Sequence, residues 1–405
     1  MIDFCRKDKL LTELALFLLI FTLAAPMFNA VNSIVMAISV IFVILQYKRI
    51  NLKAIPLPIV YSIFLFISSL FISSFFIGDK KSIDYAFKFL YWMLPFFVVF
   101  YGFQLCKNIN IPLYSFTMAL LVSAGAVLYQ YYFLDKLRPG GLYFQPNHFA
   151  SMMDILFPFA TMFILKNLYE CKNKIMSVIL FLPIILGIYA LFLSGSRGGL
   201  IGIFIGLLLT LVCYYLRKQK IIKFVAVFFG ILILIGSSLW YAYNSFPDLF
   251  QRGYDNERLL LIESSYNMWN DHKLFGVGLA NWEEVYNNNK YKLTQARENL
   301  DMPHNILAFF FSTTGILGGI GYIIFTGGIF VFLIKHLHNY QNKQIIFIVL
   351  AMIWALLSIN IHGMVDIGLN NKFVMRLFSG SLGLTVAYLY AVEQSGDCEN
   401  DKKKC

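Results

Sequence analysis

Runs of about 20 apolar residues recur along most of the chain, and they limit its possible folds more than any other feature, because the hydrocarbon core of a bilayer takes about 20 apolar residues of helix. Such runs lie near 10–28, 30–46, 56–77, 85–104, 112–133, 148–168, 175–193, 200–216, 222–241, 305–334, 344–362 and 374–392. Composition agrees. Charged residues make up 14% of the 405 and hydrophobic residues 59%, with a mean hydropathy of +0.68. A soluble chain carries about 25% charged residues to solvate its surface. The chain therefore reads as an all-α polytopic membrane protein, with about twelve transmembrane helices in a single membrane domain over 1–405. The run at 305–334 is too long for one straight span, so its first turns from Asn305 are expected to form a separate short helix. The first run follows a basic cluster (Arg6, Lys7, Lys9), but no small-residue cleavage site comes after it. It reads as a retained span and not a removed signal peptide.

Lys and Arg set the orientation, because cytoplasmic loops collect them. Arg6, Lys7 and Lys9, then Lys48, Arg49 and Lys53, Lys107, Lys166, Lys172 and Lys174, Arg217, Lys218, Lys220 and Lys223, Lys335 and Lys343, and Lys402 to Lys404 all fall on one side of the alternating spans. Both termini are expected in the cytoplasm. The net charge of +11 is then a signature of topology, not of nucleic-acid binding. Cys5, Cys106, Cys171, Cys213, Cys398 and Cys405 lie on or next to the same side, which leaves no cysteine where disulfides form.

The opposite, outer face carries the one soluble-looking segment, a loop at 243–303 between the ninth and tenth spans. Asp255-Asn256 are suited to cap a helix over Glu257–Trp269. A Gly-rich turn follows in LFGVGLANW (Leu274–Trp282), and a polar run leads to Pro303. A segment of this size can cover a membrane cavity but does not easily build a large core of its own. Loops so long are usually functional. It reads as a lid over the bundle.

Three features on that face carry chemistry. SGSRGG (Ser194–Gly199) turns between two spans with Arg197 at its centre. Arg at membrane depth costs about 2.5–3.5 kcal/mol unless it faces a polar cavity, and the guanidinium fork suits phosphate oxygens. The bland alternative is an interfacial Arg snorkelling to the surface. Arg258 precedes Leu259, Ile262, Tyr266 and Trp269 at helical spacing, a pattern that also fits a simple packing stripe. Pro303-His304-Asn305 marks the return to the membrane, where His304 is placed to act as a base near neutral pH or merely to cap a helix. No Walker A loop is present, so no nucleotide drive is expected. No His/Cys/Asp/Glu group has metal-ligand spacing, so neither metal nor other cofactor is expected. Asp154 is the clearest charge inside a span, with Lys88, Asp366 and Glu13 near span ends. An ion-coupled transporter needs more such groups near the midplane.

Taken in order, these motifs resemble the lipopolysaccharide O-antigen ligase family (WaaL type), within the wider O-antigen ligase/polymerase superfamily. The sharpest stretch is HNILAFFFSTTGILG (His304–Gly318): a His, the polar amide Asn305, and Gly315 and Gly318 at the family's spacing. SGSRGG and the Arg258 helix before GVGLANW fall in the family's order. RPGGLYFQPNHFAS (Arg138–Ser151) looks like its Asn-bearing segment, with Asn147. MVDIGLNNKFVMR offers Asp366 and Arg376 where the family often has an acid and a base. The resemblance implies a GT-C-like glycosyltransferase of the inner membrane of a Gram-negative cell, independent of metal and ATP. Its donor would be polysaccharide on undecaprenyl pyrophosphate and its acceptor a hydroxyl of lipid A–core. Arg197 and Arg258 would hold the pyrophosphate, His304 would take the acceptor proton, and Arg138, Asn147, Asn305, Asp366 and Arg376 would support them at the periplasmic face. The same motifs leave open a Wzy-type repeat-unit polymerase or a protein O-oligosaccharyltransferase. A non-enzymatic flippase of lipid-linked sugars is the more distant reading.

The orientation is testable by thiol labelling in a cysteine-free background. Cysteines at Asn288 and Tyr143 are expected to react with an impermeant reagent in intact spheroplasts, and one at Gln219 is not. The reverse pattern inverts the topology.

Overall fold

The computed structural model describes residues 2–27, 29–143, 145–170, 174–218, 254–288, 290–296 and 299–394, with 222, 225, 229 and 230. Among them there are only helices and connecting turns, with no strand. In chain order the helices are α1 (Ile2–Ala24), α2 (Asn29–Leu45), α3 (Leu57–Ile77), α4 (Lys80–Trp92), α5 (Leu94–Cys106), α6 (Asn110–Phe133), α7 (Pro146–Tyr169), α8 (Lys174–Ser194), α9 (Arg197–Arg217), α10 (Tyr254–Asp271), α11 (Trp282–Asn287), α12 (Ile306–Asn339), α13 (Lys343–Gly363) and α14 (Lys372–Gln394). Eight helical stretches are long and apolar enough to cross a membrane, and shorter apolar helices occupy 10–24, 29–45 and 181–194. Each coincides with an apolar run in the sequence. The run at 222–241 lies largely outside the described residues.

The polar contacts sort to two ends of the bundle. At one, Asn51 meets Gln104 and Tyr390, Asn108 meets Glu13, Gln344 meets Glu170, and Arg217 meets Gln341. At the other, the 78–80, 134–145, 195–196 and 364–371 connections gather with the segment from 254 to 303. Helices α7, α13 and α14 are the most enclosed spans, while α9 turns most of its surface outward. What lets α9 lie close on α13 is a stripe of glycines four residues apart. Side chains at Gly198, Gly202 and Gly206 would collide with His362 and Ser358, and small residues are what permit such close approach in a membrane.

Local chemistry departs from three expectations. The run at 85–104 is two helices, because Pro95 at the start of α5 breaks continuity at Met93. Helix α10 begins at Tyr254, so Asp255 and Asn256 lie within its first turn instead of capping it. Tyr143 is buried, its hydroxyl donating to the Ala24 carbonyl at 2.6 Å, so exposed Lys136 is the better labelling position on that connection.

The long run from Asn305 does divide. Gly315 (φ 65°, ψ −161°) interrupts α12 one-third of the way along. Backbone groups freed by such a break must find partners within the protein, since lipid offers none. They find them in the Gly-rich turn: the N–H groups of Val277 and Gly278 donate to the carbonyls of Ser312 and Thr313, each at 2.9 Å, and Ile316 N–H donates to the Lys273 carbonyl at 2.8 Å. Gly276 (φ 72°) packs against the backbone of Thr313 and Thr314, and Gly315 against that of Leu274 and Phe275. Ser73 of α3 donates to the Phe275 carbonyl, and Phe76 stacks on the Phe275 ring. The segment also has a small core of its own, made by Leu261, Met268, Val277, Trp282, Tyr286 and Tyr291.

Gly315→Ala is expected to lower stability by more than about 1–2 kcal/mol, since a Cβ is unfavourable at positive φ and meets backbone here. Gly125→Ala, in the middle of α6 with open space around it, is expected to be neutral or mildly stabilising. Thermal unfolding in detergent checks both, and equal melting points would refute the clamp.

Candidate active site

One polar cavity, of about 230 Å³, opens at the end of the bundle that bears the 254–303 segment. Its walls come from five parts of the chain: Arg138 and Asn147; Gly195, Ser196, Arg197 and Gly198; Glu257, Arg258 and Leu300; His304; and His362, Val365 and Asp366. Six of the eight residues expected to act or assist are therefore brought together across 228 positions of sequence, from Arg138 to Asp366.

The turn expected at SGSRGG is the start of a helix. Ser196 caps α9, its hydroxyl accepting from Gly199 N–H, and Arg197 is the first helical residue. The first N–H groups of α9 thus face the cavity beside an exposed guanidinium, as do those of α7 near Asn147. Helix N-termini are anion sites by virtue of these donors and the helix dipole. Arg138 reaches the same turn, its Nε donating to the Ser194 carbonyl at 3.5 Å. Arg258 stands at the start of α10, so three arginines from separate elements converge. Of the residues at helical spacing after Arg258, Leu259 and Tyr266 are exposed, Ile262 is partly buried, and Trp269 packs edge-on against Phe311 of α12, while Arg258 itself lines the cavity.

His304 occupies a left-handed backbone conformation (φ 50°), a state seldom adopted outside glycine and concentrated at functional sites. The helix is capped by its neighbour. Asn305 Oδ1 accepts from Ala308 N–H at 2.9 Å, and its amide donates to the Met364 carbonyl at 2.9 Å. His304 is thus left for other work. Its Nδ1 lies 3.2 Å from Asp366 Oδ1, and the side chain is 22% exposed. Asp366 Oδ1 also accepts from Ile367 N–H at 2.8 Å. Burial by itself would push the Asp366 carboxyl up, but the hydrogen bond and charge of His304, with the charges of His362 and Arg258, hold it down to about 2. A carboxylate so placed can accept from Nδ1–H and leave Nε2 as the acceptor, the orienting role a carboxylate plays in acid–base triads.

Two expected residues stand elsewhere. Asn305 is the cap just described and lies behind the cavity wall. Arg376, in the first turns of α14, spreads over the Tyr91 ring at 4.6 Å and is not among the lining residues. Two ionisable lining residues were not among the eight expected. Glu257 sits beside Arg258 at the same helix start. His362 lies in the last turn of an apolar span, where the sequence gives no sign that it reaches a cavity. No group of three or more His, Cys, Asp or Glu able to hold a metal occurs among the described residues.

Comparison with known proteins meets the cavity on its most basic side. An uncharacterized protein of Haemophilus influenzae is 26% identical over 352 residues, covering 82% of this chain and 86% of that protein. Residues 182–323 match the family model described as O-antigen ligase, a segment that contains Arg197, Arg258 and His304. That match supports placing the chain in the O-antigen ligase/polymerase superfamily, as a multi-pass membrane protein with a ligase- or polymerase-type function in polysaccharide processing.

Proposed function

We propose that the protein is an O-antigen ligase, a metal- and ATP-independent glycosyltransferase that moves polysaccharide from undecaprenyl pyrophosphate to lipid A–core at the periplasmic face of the inner membrane. The observation that carries this reading is the convergence of three arginines and a carboxylate-held imidazole on one cavity. The acceptor hydroxyl gives its proton to His304 Nε2 as its oxygen bonds to the anomeric carbon. The bond from that carbon to the phosphate oxygen breaks, and the diphosphate leaves with the electron pair. Arg197 and Arg258, with Arg138 and the α9 N-terminus, neutralise the charge that builds on it. Diphosphate departs readily once neutralised, so a base and cations suffice. A flippase would need no imidazole poised as a base beside the cations. A repeat-unit polymerase uses the same chemistry on a different acceptor. Deleting the gene and resolving surface polysaccharide on a gel separates the two: polymer made but not attached to core means ligase, and single repeats on core mean polymerase.

His304→Asn is expected to cut transfer by at least about 100-fold, within the usual contribution of a general base. Asn tolerates the left-handed backbone, so membrane abundance is expected to stay normal. Near wild-type transfer by this variant would remove His304 from the mechanism.

Asp366 supplies a pH prediction. With its folded-state value lowered to about 2 from the ordinary 3.8, its stabilising contribution is complete above 3.8 and is lost only as pH falls through about 2. Its own titration therefore leaves activity near neutrality untouched. Asp366→Asn is expected to lower transfer at least about tenfold at neutral pH through loss of ring orientation. Wild-type transfer by this variant would show that the carboxylate does not act on the base.

A further inference from the structure

Beneath the His304–Asp366 pair lies a second imidazole–carboxylate pair that the reaction above leaves unused. His362 Nδ1 is 2.7 Å from Asp154 Oδ2 of α7, and the two residues are 1% and 0% exposed. The pairs are joined through the backbone, because Asp366 N–H donates to the His362 carbonyl at 2.9 Å. With Nδ1 anchored, the ring presents its Cδ2–Nε2 edge to α9. A Cβ built on Gly198 would lie 2.9 Å from Cδ2 and 3.2 Å from Nε2. Nε2 is thus at the cavity wall beside the Arg197 turn, and it makes no hydrogen bond to the described residues.

The proton count of the pair decides what Nε2 offers. A net negative charge at this depth is costly unless something compensates it. Each carboxylate has one buried oxygen without a hydrogen-bond partner, but the charge around them differs. Asp366 has Arg258 near it as well as the two imidazoles, whereas Asp154 has His362 alone, and Gly202 of α9 closes over its Oδ1. The economical state of the deeper pair holds two protons and is neutral overall. One is shared between Nδ1 and Asp154, and the other sits on Nε2. The two histidines are thereby set to opposite tasks, His304 to accept at Nε2 and His362 to donate.

We propose that His362 is an anion-binding residue of the cavity, its Nε2–H bonding a non-bridging oxygen of the substrate's diphosphate, with Asp154 as the residue that positions it. The proposal rests on the reading of the cavity as a diphosphate site.

The test is binding of geranylgeranyl diphosphate to the purified full-length protein in detergent, with geranylgeraniol as the control for the lipid part. His362→Phe is expected to weaken diphosphate binding about 10–100-fold, the worth of a hydrogen bond to a charged group, and to leave alcohol binding alone. His362→Gln, whose amide keeps an N–H donor, is expected to stay within about threefold of wild type. Asp154→Asn, whose amide can donate to Nδ1 and leave the proton on Nε2, is expected to retain binding, and Asp154→Leu to lose it. If His362→Phe binds diphosphate like wild type while Arg197→Ala does not, this proposal alone is overturned. Equal loss of diphosphate and alcohol binding in both His362 variants marks a purely structural role and also overturns it. If neither Arg197→Ala nor Arg258→Ala changes binding, the diphosphate reading of the cavity falls, and the assignment of His362 with it.

Discussion

A helix broken inside a membrane has to recover its lost hydrogen bonds from protein, and the rest of the cavity end hangs on how α12 does so. The carbonyls exposed at Gly315 are taken by the N–H groups of Val277 and Gly278. That exchange works only because Gly276 and Gly315 bring two backbones into contact without side chains between them. It ties the segment bearing Arg258 to the helix that begins just after His304. The spacing between Arg258 and the proposed base is thus tied to backbone, the least adjustable material in a protein. Ser73 and Phe76 of α3 then lock the same turn to the bundle.

Electrostatics divides the labour inside the cavity. Three arginines and two helix N-termini favour an anion there, and two of the nearby carboxylates are placed so that they do not cancel it. Asp366 is spent on His304 and on the Ile367 N–H. Asp154 is spent on His362. What faces the cavity is therefore the far edge of each ring, and the charge needed to orient the rings stays behind them. Pairs of this kind also resist drift, since each ring is held at one nitrogen by a group from another helix or loop.

How much of this could be read in advance depended on whether the signal was local. Apolar runs marked the long helices among the described residues, because a bilayer-length helix is recorded directly in consecutive residues. SGSRGG and Pro303-His304-Asn305 were legible as polar motifs at span ends, where charge has a reason to be. A cap at the start of α12 was legible in kind but was assigned to His304 instead of Asn305, and the break at Pro95 was not read at all, since capping and breaking depend on φ and ψ that several neighbours could adopt. Arg376 looked equivalent to the other arginines, and only tertiary structure shows it spread over Tyr91. The His362–Asp154 pair was out of reach. Its members are 208 residues apart, each alone in an apolar span, and nothing but the packing of α7 against α13 makes them neighbours.

The left-handed backbone of His304 bears on inheritance as well as on chemistry. Most side chains at that position would strain the chain as it re-enters the bundle, but Asn and Asp accept the conformation readily. Their codons each differ from those of histidine by one base. With His304 as the base proposed above, a folded, membrane-inserted and silent form of the protein is a single point mutation from the active one, and so is its reversion.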